Sequence, residues 1–262
     1  MRPLVLGTVA AATLGATAQV VPMVTANGPV RRRLWPRLAG VGPTTRIALT
    51  FDDGPDPAST PQFLRLLARA QVRATFFVLG RMLERDPGLG RELVAAGHEV
   101  AVHGWEHRNL LWRAPAATYA DIARCRDRIA DVTGVPPLWY RPPYGVLTSA
   151  ALLACRRLHL TPRLWTAWGR DWESTRPPGE IWQMISKDLA GGGTVLLHDS
   201  DCASAPGAWR GALAVLPRLF EWAQDRNLTI GTLGAHQADE DERRAVGGFV
   251  GGNGRHGGCG DG

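Results

Sequence analysis

The feature that most limits how this chain can fold is an alternation. Seven short apolar runs take turns with longer stretches of helical periodicity. The runs centre on Ile47–Phe51, Ala74–Leu79, Glu99–His103, Leu138–Arg141, Arg163–Ala167, Thr194–His198 and Leu228–Ile230. Between them, Thr60-Pro61 reads as an N-cap and first-turn proline before the stripe Phe63, Leu64, Leu66 and Leu67. Asp86-Pro87 opens a second helix in the same way, and Gly97 is placed to end it. Thr118 and Asp121 resemble an acidic capping box before Ile122, Cys125, Ile129 and Val132, with Gly134 closing that helix. Pro177–Leu189 and Ala208–Asp225 supply two more. Strands regularly separated by helices imply parallel βαβ units, hence an α/β fold that is either an open doubly wound sheet or a closed barrel. Both gather functional side chains at the carboxyl ends of the strands.

With 262 residues, 45% of them hydrophobic, the chain suits one globular domain with a substantial core. That domain is expected over residues 41–236. Residues 1–40 read as a leader and linker. A mildly apolar stretch from Pro3 to Val24 follows Arg2, and Ala16-Thr17-Ala18 or Val24-Thr25-Ala26 would serve a signal peptidase. A retained anchor fits less well, because Gln19 and Pro22 dilute it and Arg31, Arg32 and Arg33 follow it. The expectation is export, and an extracytoplasmic place of action. Residues 237–262 read as a disordered tail, more than half glycine from Gly247 onward.

The formal charge of +6 comes mostly from arginine, Lys187 being the only lysine, and fits contact with an anionic surface such as a cell wall. Basic runs interleaved with aromatics are missing, as are zinc-finger and RNA-binding signatures, so nucleic acid is not the expected partner. Four cysteines without a CxxC pair do not make a disulfide scaffold, and Cys125 and Cys155 read as small buried hydrophobes.

Five groups of polar residues fall at predicted strand ends. The first is Thr50-Phe51-Asp52-Asp53-Gly54-Pro55-Asp56. Adjacent carboxylates leaving a buried strand repel each other and desolvate together, so positive charge must hold them. The second is His103-Gly104-Trp105-Glu106-His107, whose imidazoles, four apart, would share a metal from one face of a helical turn. Arg141-Pro142-Pro143-Tyr144-Gly145, Asp171-Trp172 and Leu196-Leu197-His198 complete the set. Each group alone has a bland reading: a turn, a chance histidine spacing, a rigid loop, a core aromatic.

Taken in order, the five groups resemble the motifs of the NodB-homology polysaccharide deacetylases, carbohydrate esterase family 4, over about Arg46 to Leu233. The resemblance implies a distorted (β/α) barrel of about seven parallel strands. It also implies one divalent metal, usually zinc, with cobalt, manganese or iron as alternatives, held by Asp53, His103 and His107. Asp52 takes the role of general base, and Arg141 orients it. The backbone N–H of Tyr144 helps to stabilise the oxyanion. His198 is the general acid with Asp171 as its carboxylate partner, while Trp172 and Leu196 wall the acetyl pocket. The implied substrate is an amino-sugar polysaccharide of chitin-oligomer or peptidoglycan type, and the implied enzyme a monomer. Other readings are a deacylase of a small N-acyl metabolite or O-acetyl ester, and an inactive polysaccharide-binding module. A haloacid-dehalogenase-like phosphatase is excluded, because it needs Asp two residues after its nucleophile, where Gly54 stands.

Two positions depart from the family pattern. Gly104 stands where Ser or Thr is usual, which predicts a lost hydrogen bond beside the metal ligands. Trp168 replaces an Asp at the start of the fourth motif, which predicts an altered groove. Trp105, Trp112, Trp168 and Trp172 lie in or beside the motif loops, where indole faces can stack on sugar rings.

Overall fold

The computed structural model describes residues 28–173 and 176–237. The candidate cleavage sites and the glycine-rich stretch lie outside the described residues. Apolar residues on both faces make Arg46–Asp52 a fully enclosed strand, β1, buried from Ile47 onward. Around it, in chain order, stand α1 (Gly28–Leu34), α2 (Thr60–Ala70), β2 (Thr75–Val78), α3 (Gly80–Arg85), α4 (Pro87–Ala95), β3 (Glu99–Val102) and α5 (Pro115–Thr133). Then come β4 (Trp139–Tyr140), α6 (Ser149–Leu158), β5 (Thr161–Pro162), β6 (Ala167–Trp168), α7 (Pro178–Asp188), β7 (Thr194–His198), α8 (Trp209–Gln224) and β8 (Thr229–Gly231).

All strand pairs are parallel, in the order β5-β4-β3-β2-β1-β7-β6, and β8 joins the first half of β1. The sheet curls into the expected distorted barrel. Helices cover its outer side; Phe63 and Leu67 of α2 are fully buried, and the Phe63 ring meets Phe51 edge-on at 5.1 Å. Burying one such side chain is worth about 1.5–3 kcal/mol.

The expected strand Arg163–Ala167 does not form. Its place is a seam: β5 ends at Pro162, β6 starts at Ala167, and the residues between cross from one sheet edge to the other. Their backbone groups find partners in the N-terminal segment. Leu164 N–H donates to Leu38 O (2.8 Å), Arg31 to Trp165 O (2.7 Å) and Arg32 to Thr166 O (3.0 Å). Residues 28–40, read as linker, therefore pack on the domain, and Arg31 is buried there. At the other end, Gln237, assigned to the tail, accepts a hydrogen bond from Arg163.

The helix signals hold with two shifts. Asp86 caps α4 by accepting from Leu89 N–H, and Gly134 closes α5 at φ 70°. Ser59, not Thr60, is the N-cap of α2; Thr60 instead accepts from Asp56 N–H and donates to Asp199. Helix α5 starts at Pro115, three residues before Thr118 and six before Asp121, and its N-cap is Ala114, so Thr118 and Asp121 are not its cap. Cys125 and Cys155 are buried and unpaired, as expected.

Candidate metal and catalytic centre

Asp52 ends β1 and Asp53 follows it with φ 79°. Successive strand residues point to opposite faces, and a left-handed residue breaks that alternation, so both carboxylates reach the same place. His103 Nε2 lies 3.8 Å from Asp52 Oδ2 and 3.4 Å from Asp53 Oδ1. His107 Nε2 lies 3.5 Å from Asp53 Oδ1. Asp53, His103 and His107 thus offer three ligand atoms within 4.8 Å of one another.

The two histidines do not share a helical turn. Residues 103–107 form a loop, and Gly104, at φ +104°, makes the bend that brings the rings to a centroid distance of 5.3 Å. Glycine is required twice over, because a Cβ there would stand 2.8 Å from the Asp121 carboxylate. Asp121 reaches in from α5, accepts from Trp105 N–H (2.8 Å) and pairs with Arg113 (3.0 Å). The hydrogen bond expected to be lost with Gly104 has this counterpart from a distant helix. Trp105 packs against Gly80, with Arg124 stacked 3.5 Å from its ring centroid, so it braces the loop.

Three features of the cluster suit a divalent cation. His103 Nδ1 is 2.8 Å from Arg141 O; a carbonyl only accepts, so Nδ1 carries the proton and Nε2 keeps its lone pair toward Asp53. Asp53 Oδ1 is buried without a well-formed hydrogen bond, although it faces both imidazoles. Burial works against charge on His103, yet Asp52 and Asp53 draw its pKa upward. The carboxylates call for positive charge that a cation supplies in place of a proton. Burial lowers His107 to about 4, leaving it neutral. Burial also works against charge on Asp53, but His103, His198 and His107 hold it down at about 2.

Arg141, fully buried at the end of β4, donates to Asp52 Oδ1 (2.6 Å), Thr50 Oγ1 (2.9 Å), Arg163 O (3.2 Å) and Leu164 O (3.0 Å). Its fork is thus shared between one carboxylate and the seam. His198, at the end of β7, receives Asp171 twice: its N–H donates to Oδ2 (2.7 Å), and Nδ1 is 3.1 Å from Oδ1. Burial disfavours a charged His198, but Asp171, Asp53 and Asp52 outweigh it and lift the pKa to about 10.

A cavity of about 240 Å³ joins these groups; Asp52, Asp53, His103, His107 and His198 line it together with Tyr144, Trp172 and Leu196. Tyr144 has φ 59° in the turn Pro143–Gly145, and its ring meets His107 edge-on at 4.5 Å. Trp172 meets His198 edge-on at 5.5 Å, and Trp168 and Trp165 continue the row at 4.8 and 5.6 Å. Eight of the ten site residues expected from the sequence therefore line one cavity, and the other two, Asp171 and Arg141, stand behind its wall and hold His198 and Asp52. Trp112 is 89% exposed on an adjoining surface.

Sequence reasoning gave Asp121 only a helix-capping role and passed over Trp165 and Asp199. Asp199 follows His198, is buried, and accepts from Thr60 Oγ1 (2.6 Å); burial pushes its pKa to about 7. A carboxylate next to a strand-end histidine was a legible signal. Asp121 had none, since its contact spans 16 positions and a bend.

The chain is also similar to known proteins. The family model described as polysaccharide deacetylase matches residues 39–162. The peptidoglycan-N-acetylglucosamine deacetylase PgdA of Listeria monocytogenes is 36% identical over 154 residues, 59% of this chain but 32% of that protein. The chain thus spans about a third of that relative's length. A chitooligosaccharide deacetylase of Sinorhizobium fredii is 32% identical over 194 residues, 71% of this chain and 89% of that one. Among solved structures, the Bc1960 peptidoglycan N-acetylglucosamine deacetylase superposes with TM-score 0.69 at 25% identity, covering 75% of this chain and 91% of that one.

Proposed function

We propose that this chain, which belongs to the polysaccharide deacetylase family, is a metal-dependent hydrolase removing N-acetyl groups from an amino-sugar polysaccharide of chitin-oligomer or peptidoglycan type. One observation carries the reading. A three-ligand cluster, a carboxylate held by a buried arginine and a histidine backed by a buried carboxylate converge on a single cavity.

Asp53, His103 and His107 are the proposed ligands of one divalent ion, zinc in the first instance; three N/O ligands leave a position open for chemistry. When bound there, such an ion would polarise the acetyl carbonyl and acidify a water. Asp52 accepts the proton of the attacking water. Arg141 occupies its Oδ1, which leaves Oδ2 on the side of the ligand cluster. Tyr144 offers its backbone N–H to the developing oxyanion from a left-handed turn. With Nδ1 engaged by Asp171, His198 has Nε2 left for the departing amine. A pKa near 10 keeps the ring protonated at neutral pH, as an acid for a poor leaving group must be. Trp172 and Leu196 enclose the acetyl methyl.

The proposed setting is extracytoplasmic, on a cell-wall or extracellular polymer, with the enzyme acting as a monomer. Among the described residues, no helix is long and apolar enough to cross a membrane. The test is acetate release from chitin oligomers, peptidoglycan strands, acetylxylan and small N-acetyl metabolites, using chelator-treated and metal-restored protein. Metal-dependent release from an amino-sugar polymer is expected. Release confined to small metabolites or to O-acetyl esters, or release indifferent to chelation, would overturn the reading.

A further inference from the structure

The two histidines of the centre are held in different ways. His103 follows β3 directly; its N–H donates to Val78 O (3.0 Å), and its ring is aimed by Nδ1 against Arg141 O. His107 has no such hold. Its Nδ1 is buried with no hydrogen-bond partner among the described residues, so the aim of the ring comes from the backbone of loop 103–107. That backbone is gripped on two sides. On the carbonyl side, Gly80 N–H donates to Gly104 O (3.0 Å) and Arg81 N–H to Trp105 O (3.2 Å). On the amide side stands Asp121, 6% exposed on α5. Its Oδ2 accepts from Trp105 N–H (2.8 Å), and Glu106 N–H also turns to the carboxylate. Arg113, 3.0 Å from Oδ1, fixes the same carboxylate from behind.

We infer that Asp121 is a positioning residue of the metal centre, acting on His107 far more than on His103. The inference rests on the proposed ligand set and adds to it a residue that does not line the cavity. Trp105 lies two positions before His107 in irregular backbone, so freedom at its amide passes on to the imidazole. A ligand that must be ordered before it can bind costs affinity, because the ordering entropy counts against the complex. A carboxylate suits this task. Its bonds to N–H groups are charge-assisted, and Arg113 supplies the counter-charge that a buried carboxylate needs. Gly104 and Asp121 are thus one device in two places. The missing side chain at position 104 admits the carboxylate, since a Cβ there would stand 2.8 Å from Oδ2. The carboxylate in turn gives the loop a hydrogen bond that glycine cannot.

The test is the ion affinity of the full chain, read by zinc competition against a chromophoric chelator and by the visible spectrum of the cobalt-substituted protein. Asp121→Ala should weaken zinc binding about 10–100-fold, the scale on which partners behind metal ligands act. Its cobalt spectrum should lose intensity, as one imidazole gives way to water and the coordination number rises. Asp121→Asn should stay within about fivefold of wild type, since its amide oxygen keeps the contact with Trp105 N–H and forgoes the charge assistance alone. Ile129→Ala, a cavity in the core further along α5, should lower Tm with zinc affinity unchanged, which separates positioning from stability. Should Asp121→Ala not fold, Asp121→Ser stays polar but stops short of the amide, and the same loss is expected of it. Wild-type affinity and spectrum in these variants would overturn the inference and leave the ligand set standing. So would a loss of affinity matched by Ile129→Ala. A wild-type chain that binds no stoichiometric zinc would overturn the ligand set and the inference together.

Discussion

Arg141→Met probes the link between fold and site most directly. Arg141 is fully buried and its fork serves Asp52, Thr50 and two seam carbonyls. Removing one member of a buried ion pair typically costs about 3–5 kcal/mol, because the other charge stays behind without compensation. Leaving Arg163 O and Leu164 O without this donor adds roughly 1 kcal/mol or more each. The expected loss is therefore about 5–7 kcal/mol, close to the whole stability of many domains. It corresponds to a fall in Tm of roughly 10–28 °C at about 2–4 °C per kcal/mol. The sharper test is a double-mutant cycle with Asp52→Asn, run by guanidinium unfolding on chelator-treated protein so that ion binding does not enter. If the cost is mainly the stranded carboxylate, the double variant should be more stable than Arg141→Met by roughly 2–4 kcal/mol. Strict additivity, or a loss below about 1 kcal/mol for Arg141→Met, would show that the pair is not what holds this corner together.

Four further outcomes are expected. His107→Ala should lower metal stoichiometry and activity together; metal content held at one ion per chain would refute the ligand set. Asp52→Asn should keep the metal and lose about 10²–10⁴-fold in turnover, read by acetate release beside elemental analysis, and near-normal turnover would make Asp52 a scaffold residue. His198→Ala should damage hydrolysis of an N-acetylglucosamine oligomer on the order of 10²-fold more than that of an aryl acetate, whose phenolate leaves without a proton; equal damage would send the acid elsewhere. Because imidazolium is the donating form, wild-type activity on the oligomer should persist through neutral pH and fall as pH rises through about 10. In Asp171→Asn that fall should move to lower pH, since a carboxylate partner favours the protonated ring; an unmoved limb would refute the pairing.

What the sequence revealed depended on how local the cause was. Strands such as Ile47–Phe51 and Thr194–His198 were legible because apolar runs report burial directly. Asp53, His103 and His107 were legible because strand ends and histidine spacing are one-dimensional signals. The backbone that joins the histidines was misread: four-residue spacing suggested a helical turn, whereas a left-handed glycine makes the bend. Arg163–Ala167 looked like a strand because Leu164 and Ala167 are apolar, but its hydrogen bonds are divided between Arg141, neighbouring strands and an N-terminal segment more than 120 positions earlier. The N-terminal arginines read as a flank of an export signal, and nothing local disclosed that Arg31 would be buried against Trp165. Contacts of this range are set by topology, which periodicity does not carry.

The position of β1 also has a consequence in time. It pairs with β2 on one side, and with β7 and β8, which are synthesised last. Thr50 donates to Val195, a carbonyl 145 positions further along. At roughly 5–20 residues per second, the ribosome leaves β1 waiting about 7–30 s for that neighbour, with a buried-type apolar strand bare along one edge. Such an edge is a template for pairing with another nascent copy. Long sequence separation also slows the closing step once the chain is released. The yield of native protein should therefore follow how quickly residues 194–231 arrive and how crowded the nascent chains are, more than the equilibrium stability of the finished sheet.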